Sequence, residues 1–158
     1  MFSILFVCHG NICRSAAAEF VMKKMLKESH LEDRILVESA ATSTEELGNP
    51  VYPPMKRTLE RHGIACDGHR ARQIRKNDYA NYDMIIGTDH ANIRNMHRML
   101  RGDPDGKFSL LLDYSPDPAR HGDAISDPWY TRDFELAYED VVEGCTGLLA
   151  YLKTADII

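Results

Sequence analysis

Four short apolar runs, Ile4 to Val7, Ile35 to Ser39, Asp83 to Thr88 and Phe108 to Leu112, are each followed by a stretch able to turn back as helix. Strands that alternate with helices build a parallel sheet, because each crossover must return to the same edge. The expected fold is therefore α/β: a four-stranded parallel sheet with helices on both faces. The helical signal is firmest at the end of the chain. There Phe134, Ala137, Tyr138, Val141, Val142, Cys145, Leu148, Leu149 and Leu152 repeat at helical spacing over about five turns. The first helix shows the same stripe at Ala18, Val21, Met22, Met25 and Leu26. Pro53-Pro54 suits a helix start and Gly63 its end. A short helix is expected over Ile74 to Ala80. Thr88 or Asp89 is expected to cap another, whose stripe is Ile93, Met96, His97 and Leu100. Residues 113 to 130 read as a long Asp- and Pro-rich loop, a length that usually carries function.

A parallel sheet also says where to look for chemistry. Ligands sit beyond the carboxyl ends of the strands. At the end of the first strand stands Cys8-His9-Gly10-Asn11-Ile12-Cys13-Arg14-Ser15, followed by a helix-forming Ala-rich run. The unpaired N–H groups of a helix start favour an anion. A free thiol is mostly protonated at neutral pH, but a helix N-terminus and a guanidinium favour the thiolate, which is the nucleophile. Arg14 has the planar fork that grips two phosphate oxygens, and Gly10 and Asn11 are residue types that accept left-handed backbone. The expected guest is a phosphoryl group held by the backbone of residues 9 to 15 and attacked by Cys8. No metal is needed for this. Ser15 could donate to the Cys8 sulfur or cap the helix. Cys13 could pack beneath the loop or form a reversible disulfide with Cys8 that guards against over-oxidation.

The leaving group needs an acid. The chain has three Asp-Pro pairs, at Asp103, Asp117 and Asp127. Asp103 lies in a glycine-flanked turn. Asp127 is followed by Trp129 and Tyr130, aromatics suited to a deep slot for a planar ring, and is preferred to Asp117 on that ground.

The bulk numbers restrict the alternatives. A length of 158 residues is expected to form one domain, residues 1–158. Net charge is −5, which argues against nucleic acid or an anionic membrane as partner. No run reaches membrane-spanning length. The four cysteines show no zinc spacing and fit free thiols in the cytoplasm. No cofactor is expected.

Cys8 to Ser15, Asp127-Pro128-Trp129-Tyr130 and the chain length resemble the low-molecular-weight protein tyrosine phosphatases. The likeness extends to Val37-Glu38-Ser39-Ala40, His69-Arg70-Ala71-Arg72-Gln73, Tyr82-Asp83 and Thr88-Asp89. It implies that Cys8 is the nucleophile, Arg14 binds phosphate and Asp127 is the general acid. It also implies that Asn11, Ser15, Ser39 and His69 prop the loop, and that the substrates are phosphotyrosine proteins or small aryl phosphates. Four positions depart from the usual pattern: Ala16 for proline, Glu45 at a wall position often aromatic, Trp129 for tyrosine, and Thr88 before Asp89 where methionine is common. Glu45 suggests a preference for neutral or basic flanking residues. Three alternatives stand beside this reading: phosphoarginine hydrolysis, which an apolar Ile12 disfavours; arsenate reduction, for which only the distant Cys66 and Cys145 remain as shuttles; and a non-catalytic phosphopeptide-binding module.

Overall fold

The computed structural model describes residues 1–158. Strands β1 (Phe2–Cys8), β2 (Ile35–Ala41), β3 (Met84–Gly87) and β4 (Phe108–Leu110) form one sheet in the order β2-β1-β3-β4. Every pairing is parallel. The chain leaves β1 on one side to make β2, then crosses to the other side for β3. The order of strands thus reverses beside β1, and the loop after Cys8 opens at that point.

Alternation along β1 sorts the core into two layers. Ile4 and Phe6 pack with α1 (Arg14–Glu28), α2 (Pro53–Arg61) and α6 (Phe134–Thr154). Leu5 and Val7 face Tyr82, Met96 and Leu100, which belong to the layer of α3 (Asp78–Asn81) and α4 (His90–Met99). Helices therefore cover both faces, as the sequence pattern requires. Cys145 is fully buried on the α6 stripe.

The structure corrects several boundaries. β2 runs to Ala41, because Ala40 and Ala41 pair with Val7 and Cys8. The helix expected from Ile74 starts at Asp78 instead: Gln73 bridges to Ala41, and the Ile74 N–H donates to the Ala41 carbonyl, holding this stretch extended. β4 ends at Leu110. Leu111 and Leu112 turn as 3-10 helix and are fully buried. Close approach of this turn to α6 needs glycine, since a Cβ on Gly147 would lie 1.5 Å from the Tyr114 carbonyl oxygen. On α4, His97 is exposed and lies edge-on to Phe108. The buried polar position is Asn92, whose Oδ1 accepts from the Thr88 N–H, the Thr88 hydroxyl and the Asp89 N–H. Asp89, rather than Thr88, is the cap. The stretch 113 to 130 contains the 3-10 turn Pro118–Arg120 and the short helix α5 (Pro128–Thr131).

Candidate active site

The loop between β1 and α1 closes around its own cysteine. The Cys8 sulfur lies 2.9 Å from Ser15 Oγ and receives the Asn11 N–H at 3.3 Å. Asn11 has φ 61°, the left-handed backbone that its residue type tolerates. The N–H groups of Gly10, Ile12, Cys13, Arg14 and Ser15 have no acceptor within the protein. This is the cradle expected at a helix start. The helix N-cap is Cys13, without a side-chain cap bond, so the Ser15 hydroxyl serves the sulfur and not the helix.

Hydrogen bonds behind the loop orient that hydroxyl. Asn11 Oδ1 accepts the Arg72 N–H at 3.2 Å, which turns its Nδ2 toward two serines, Ser15 and Ser39, each at 2.9 Å. Both hydroxyls accept there, and each keeps one proton to give. Ser39 gives its proton to the Glu19 carboxylate. Ser15 is left to give its proton to the Cys8 sulfur. His69 Nε2 lies 2.6 Å from the Asn11 carbonyl oxygen. Asn11, Ser15, Ser39 and His69 are therefore brought together, and all four are buried. Glu19 completes the set; it carries Lys23 on its other oxygen.

Arg14 reaches across the mouth. Its Nη1 donates to Asp89 Oδ2 at 3.0 Å and to the Ile125 carbonyl at 3.3 Å, and its Nη2 lies 3.5 Å from Asp127 Oδ2. Its Nε–H has no protein partner. Burial disfavours the guanidinium charge, but Cys8, Asp127 and Asp89 outweigh that and raise its pKa. Asp127 also caps α5, its Oδ1 accepting the Trp129 N–H at 3.0 Å. Its sequence rival Asp117 is exposed and caps Pro118–Arg120. Asp103 accepts from Lys107, Phe108 and Tyr79 and holds a turn.

The rim differs from the deep aromatic slot anticipated from the sequence. Trp129, on the four-residue helix α5, is 62% exposed and Tyr130 82%. Glu45 stands at another part of the rim, its Oε2 3.0 Å from His9 Nε2. Cys13 packs against the main core, where burial and the Cys8 charge push its thiol up to about 12. All four cysteines are free. No group of three or more His, Cys, Asp or Glu side chains converges as metal ligands do.

Sequence reasoning missed Glu19, Asp89 as the partner of Arg14, and Asp140. The Asp140 carboxylate receives the Ser126 N–H at 2.9 Å and Arg120 Nη2 at 2.9 Å. Only Asp89 carried a signal, its place after a strand end, and capping accounted for that.

Comparison with known proteins agrees with this geometry. The family model described as low molecular weight phosphotyrosine protein phosphatase matches residues 3–156. The human protein named low molecular weight phosphotyrosine protein phosphatase is 40% identical over 149 residues, 93% of each chain. Low molecular weight protein-tyrosine-phosphatase YfkJ of Bacillus subtilis is 36% identical over 153 residues, 97% of each chain. Its crystal structure superposes with a TM-score of 0.92, covering 98% of this chain and 96% of that one. With sequence, fold and loop in agreement, the chain belongs to the low molecular weight phosphotyrosine protein phosphatase family.

Proposed function

We propose that this protein hydrolyses phosphotyrosine monoesters in two steps through a cysteinyl phosphate, its 158 residues acting as one domain. The reading is carried by the Cys8 sulfur, which accepts from Ser15 and Asn11 at the floor of a ring of unpaired N–H groups. The Cys8 thiolate attacks phosphorus as the bond to the tyrosine oxygen breaks. Arg14, through Nε–H and its fork, holds two phosphoryl oxygens, and the loop N–H groups of residues 9 to 15 hold the others. Asp127 gives its proton to the departing phenolate. The resulting carboxylate then takes a proton from the water that attacks the thiophosphate, releasing inorganic phosphate and restoring the thiolate. Ser15 steadies the sulfur as it leaves.

Substrates of this reading are phosphotyrosine proteins and small aryl phosphates, with Ile12, Trp129 and Tyr130 about the ring. No helix is long and apolar enough to cross a membrane, and four unpaired thiols support a cytoplasmic setting. A shuttle of thiols for arsenate has little to build on, since Cys145 is fully buried on α6 and its thiol is pushed up by burial.

The test compares Cys8→Ser and Asp127→Ala on peptides bearing phosphotyrosine, phosphoserine or phosphoarginine. Cys8→Ser should abolish turnover. Asp127→Ala should lower phosphotyrosine turnover about 10²- to 10⁴-fold. An unchanged rate in Asp127→Ala would assign the acid elsewhere, and faster turnover of phosphoarginine would move the substrate to that class.

A further inference from the structure

Beside the mouth lies an open cleft of about 470 Å³ between α2 and the start of α6. Arg57, Arg61 and Arg132 line it, with Asp133, Phe134 and Glu135. The two acids are already engaged. Asp133 caps α6 at the Leu136 N–H, 2.9 Å away, and Glu135 meets His62 and, at 3.7 Å, Arg61. Arg57 and Arg132 have no hydrogen bond or ion pair through their side chains. Arg132 instead lies over the Trp129 ring at 5.1 Å. In a chain of net charge −5, two unpaired guanidinium groups across one cleft are a local reversal of sign.

The cleft joins the catalytic loop along two paths. The Ile12 carbonyl accepts the Tyr52 N–H at 2.9 Å, and the Tyr52 ring lies 5.9 Å from Phe134 in the cleft wall. Along the other path Arg132 touches Trp129, two residues beyond Asp127. The lip built from Glu45 and Glu46 is different in charge: Glu45 pairs with His9, and Glu46 packs under Gly10. The mouth is therefore polarised, acidic on one lip and cationic on another.

We propose that this cleft is a second anion subsite, which takes an acidic side chain flanking the phosphotyrosine on one side of the peptide. The proposal rests on the phosphatase reading above and refines its substrate class. It also revises the expectation from Glu45: a preference for neutral or basic neighbours holds only for residues crossing the Glu45 lip.

A panel of single-phosphotyrosine peptides tests this, with Glu moved through each position on either side of an otherwise Ala-flanked core. At low salt, Glu at one or two positions on one flank should raise kcat/KM about three- to tenfold, the scale of two exposed ion pairs. The gain should shrink as salt is added. Arg57→Ala with Arg132→Asn should flatten the preference; asparagine suits position 132, where φ is 59°. Arg57→Lys should keep most of it, and Arg57→Glu alone should turn the preference toward Lys. No gain from Glu at any position, or a gain that survives the double variant, would overturn the subsite while leaving the phosphatase reading intact. Failure to turn over the Ala-flanked phosphotyrosine peptide itself would overturn both.

Discussion

The Asp140 carboxylate on α6 accepts the Ser126 N–H at 2.9 Å, one residue before the proposed acid. Its other oxygen accepts Arg120 Nη2, also at 2.9 Å. The acid loop is further tied by the Ile125 N–H to the Thr88 carbonyl and by Arg14 to the Ile125 carbonyl. Asp140 is thus a positioning residue. Asp140→Ala should lower kcat/KM, which reports the step in which the phenol departs, about tenfold on phenyl phosphate, whose leaving group needs the proton. It should have far less effect on p-nitrophenyl phosphate, whose leaving group does not. An equal loss on both would mean that Asp140 supports the fold alone.

Glu19 anchors the far end of the hydrogen bonds behind the Cys8 loop by taking the Ser39 proton. As a carboxylate it only accepts, so Ser39 must donate to it. In Glu19→Gln the amide can donate to Ser39 instead, so Ser39 loses its committed acceptor and holds Asn11 less firmly behind the loop. A fall of about tenfold in kcat with KM nearly unchanged is expected. Steady-state kinetics on an aryl phosphate, beside a thermal melt, separates this from loss of fold.

Gly147→Ala should be among the most damaging single-methyl additions in the chain. The new Cβ would lie 1.5 Å from the Tyr114 carbonyl oxygen and 2.5 Å from its carbon, which are backbone atoms that cannot rotate away. Overpacking of this kind costs about 3 kcal/mol. Urea unfolding should show that loss as a lowered midpoint with an unchanged slope.

Alkaline pH should weaken the fold in part through Cys13. Burial first, then the Cys8 charge, raises its thiol from an ordinary 9.0 to about 12. Below 9 both folded and unfolded chains hold the proton, and nothing is lost. Above 9 the unfolded chain releases it while the folded chain keeps it, so stability falls as pH rises toward 12. Cys13→Ala should therefore lose less stability than the parent between pH 8 and 11, in melts run with reductant.

The parallel sheet, the helices on both faces and the anion loop were legible because each rests on local pattern: short apolar runs, helical stripes, and a Gly-Asn closing between cysteine and arginine. Cys8 and Arg14 needed only their own loop. Asp127 needed an argument from its aromatic neighbours, and those neighbours are exposed. The polar layer behind the loop was not legible without the resemblance. Glu19 read as one charge in a helix, yet the turn of α1 carries it inward to Ser39. Asp140 sits on α6, and nothing local indicates that Ser126 will meet it. Element ends were misplaced where tertiary pairing decided, as at Gln73 with Ala41 and at Leu111 under α6.

Arg14 and Asp127 meet although 113 residues of chain separate them. The proposed nucleophile therefore leaves the ribosome long before the proposed acid, and that acid before the α6 carboxylate that ties its loop. A nascent or truncated chain ending ahead of that helix would present the thiol with its proton donor unseated. Efficient dephosphorylation by this protein consequently waits until α6 has been made, and proteolytic removal of that helix would weaken it.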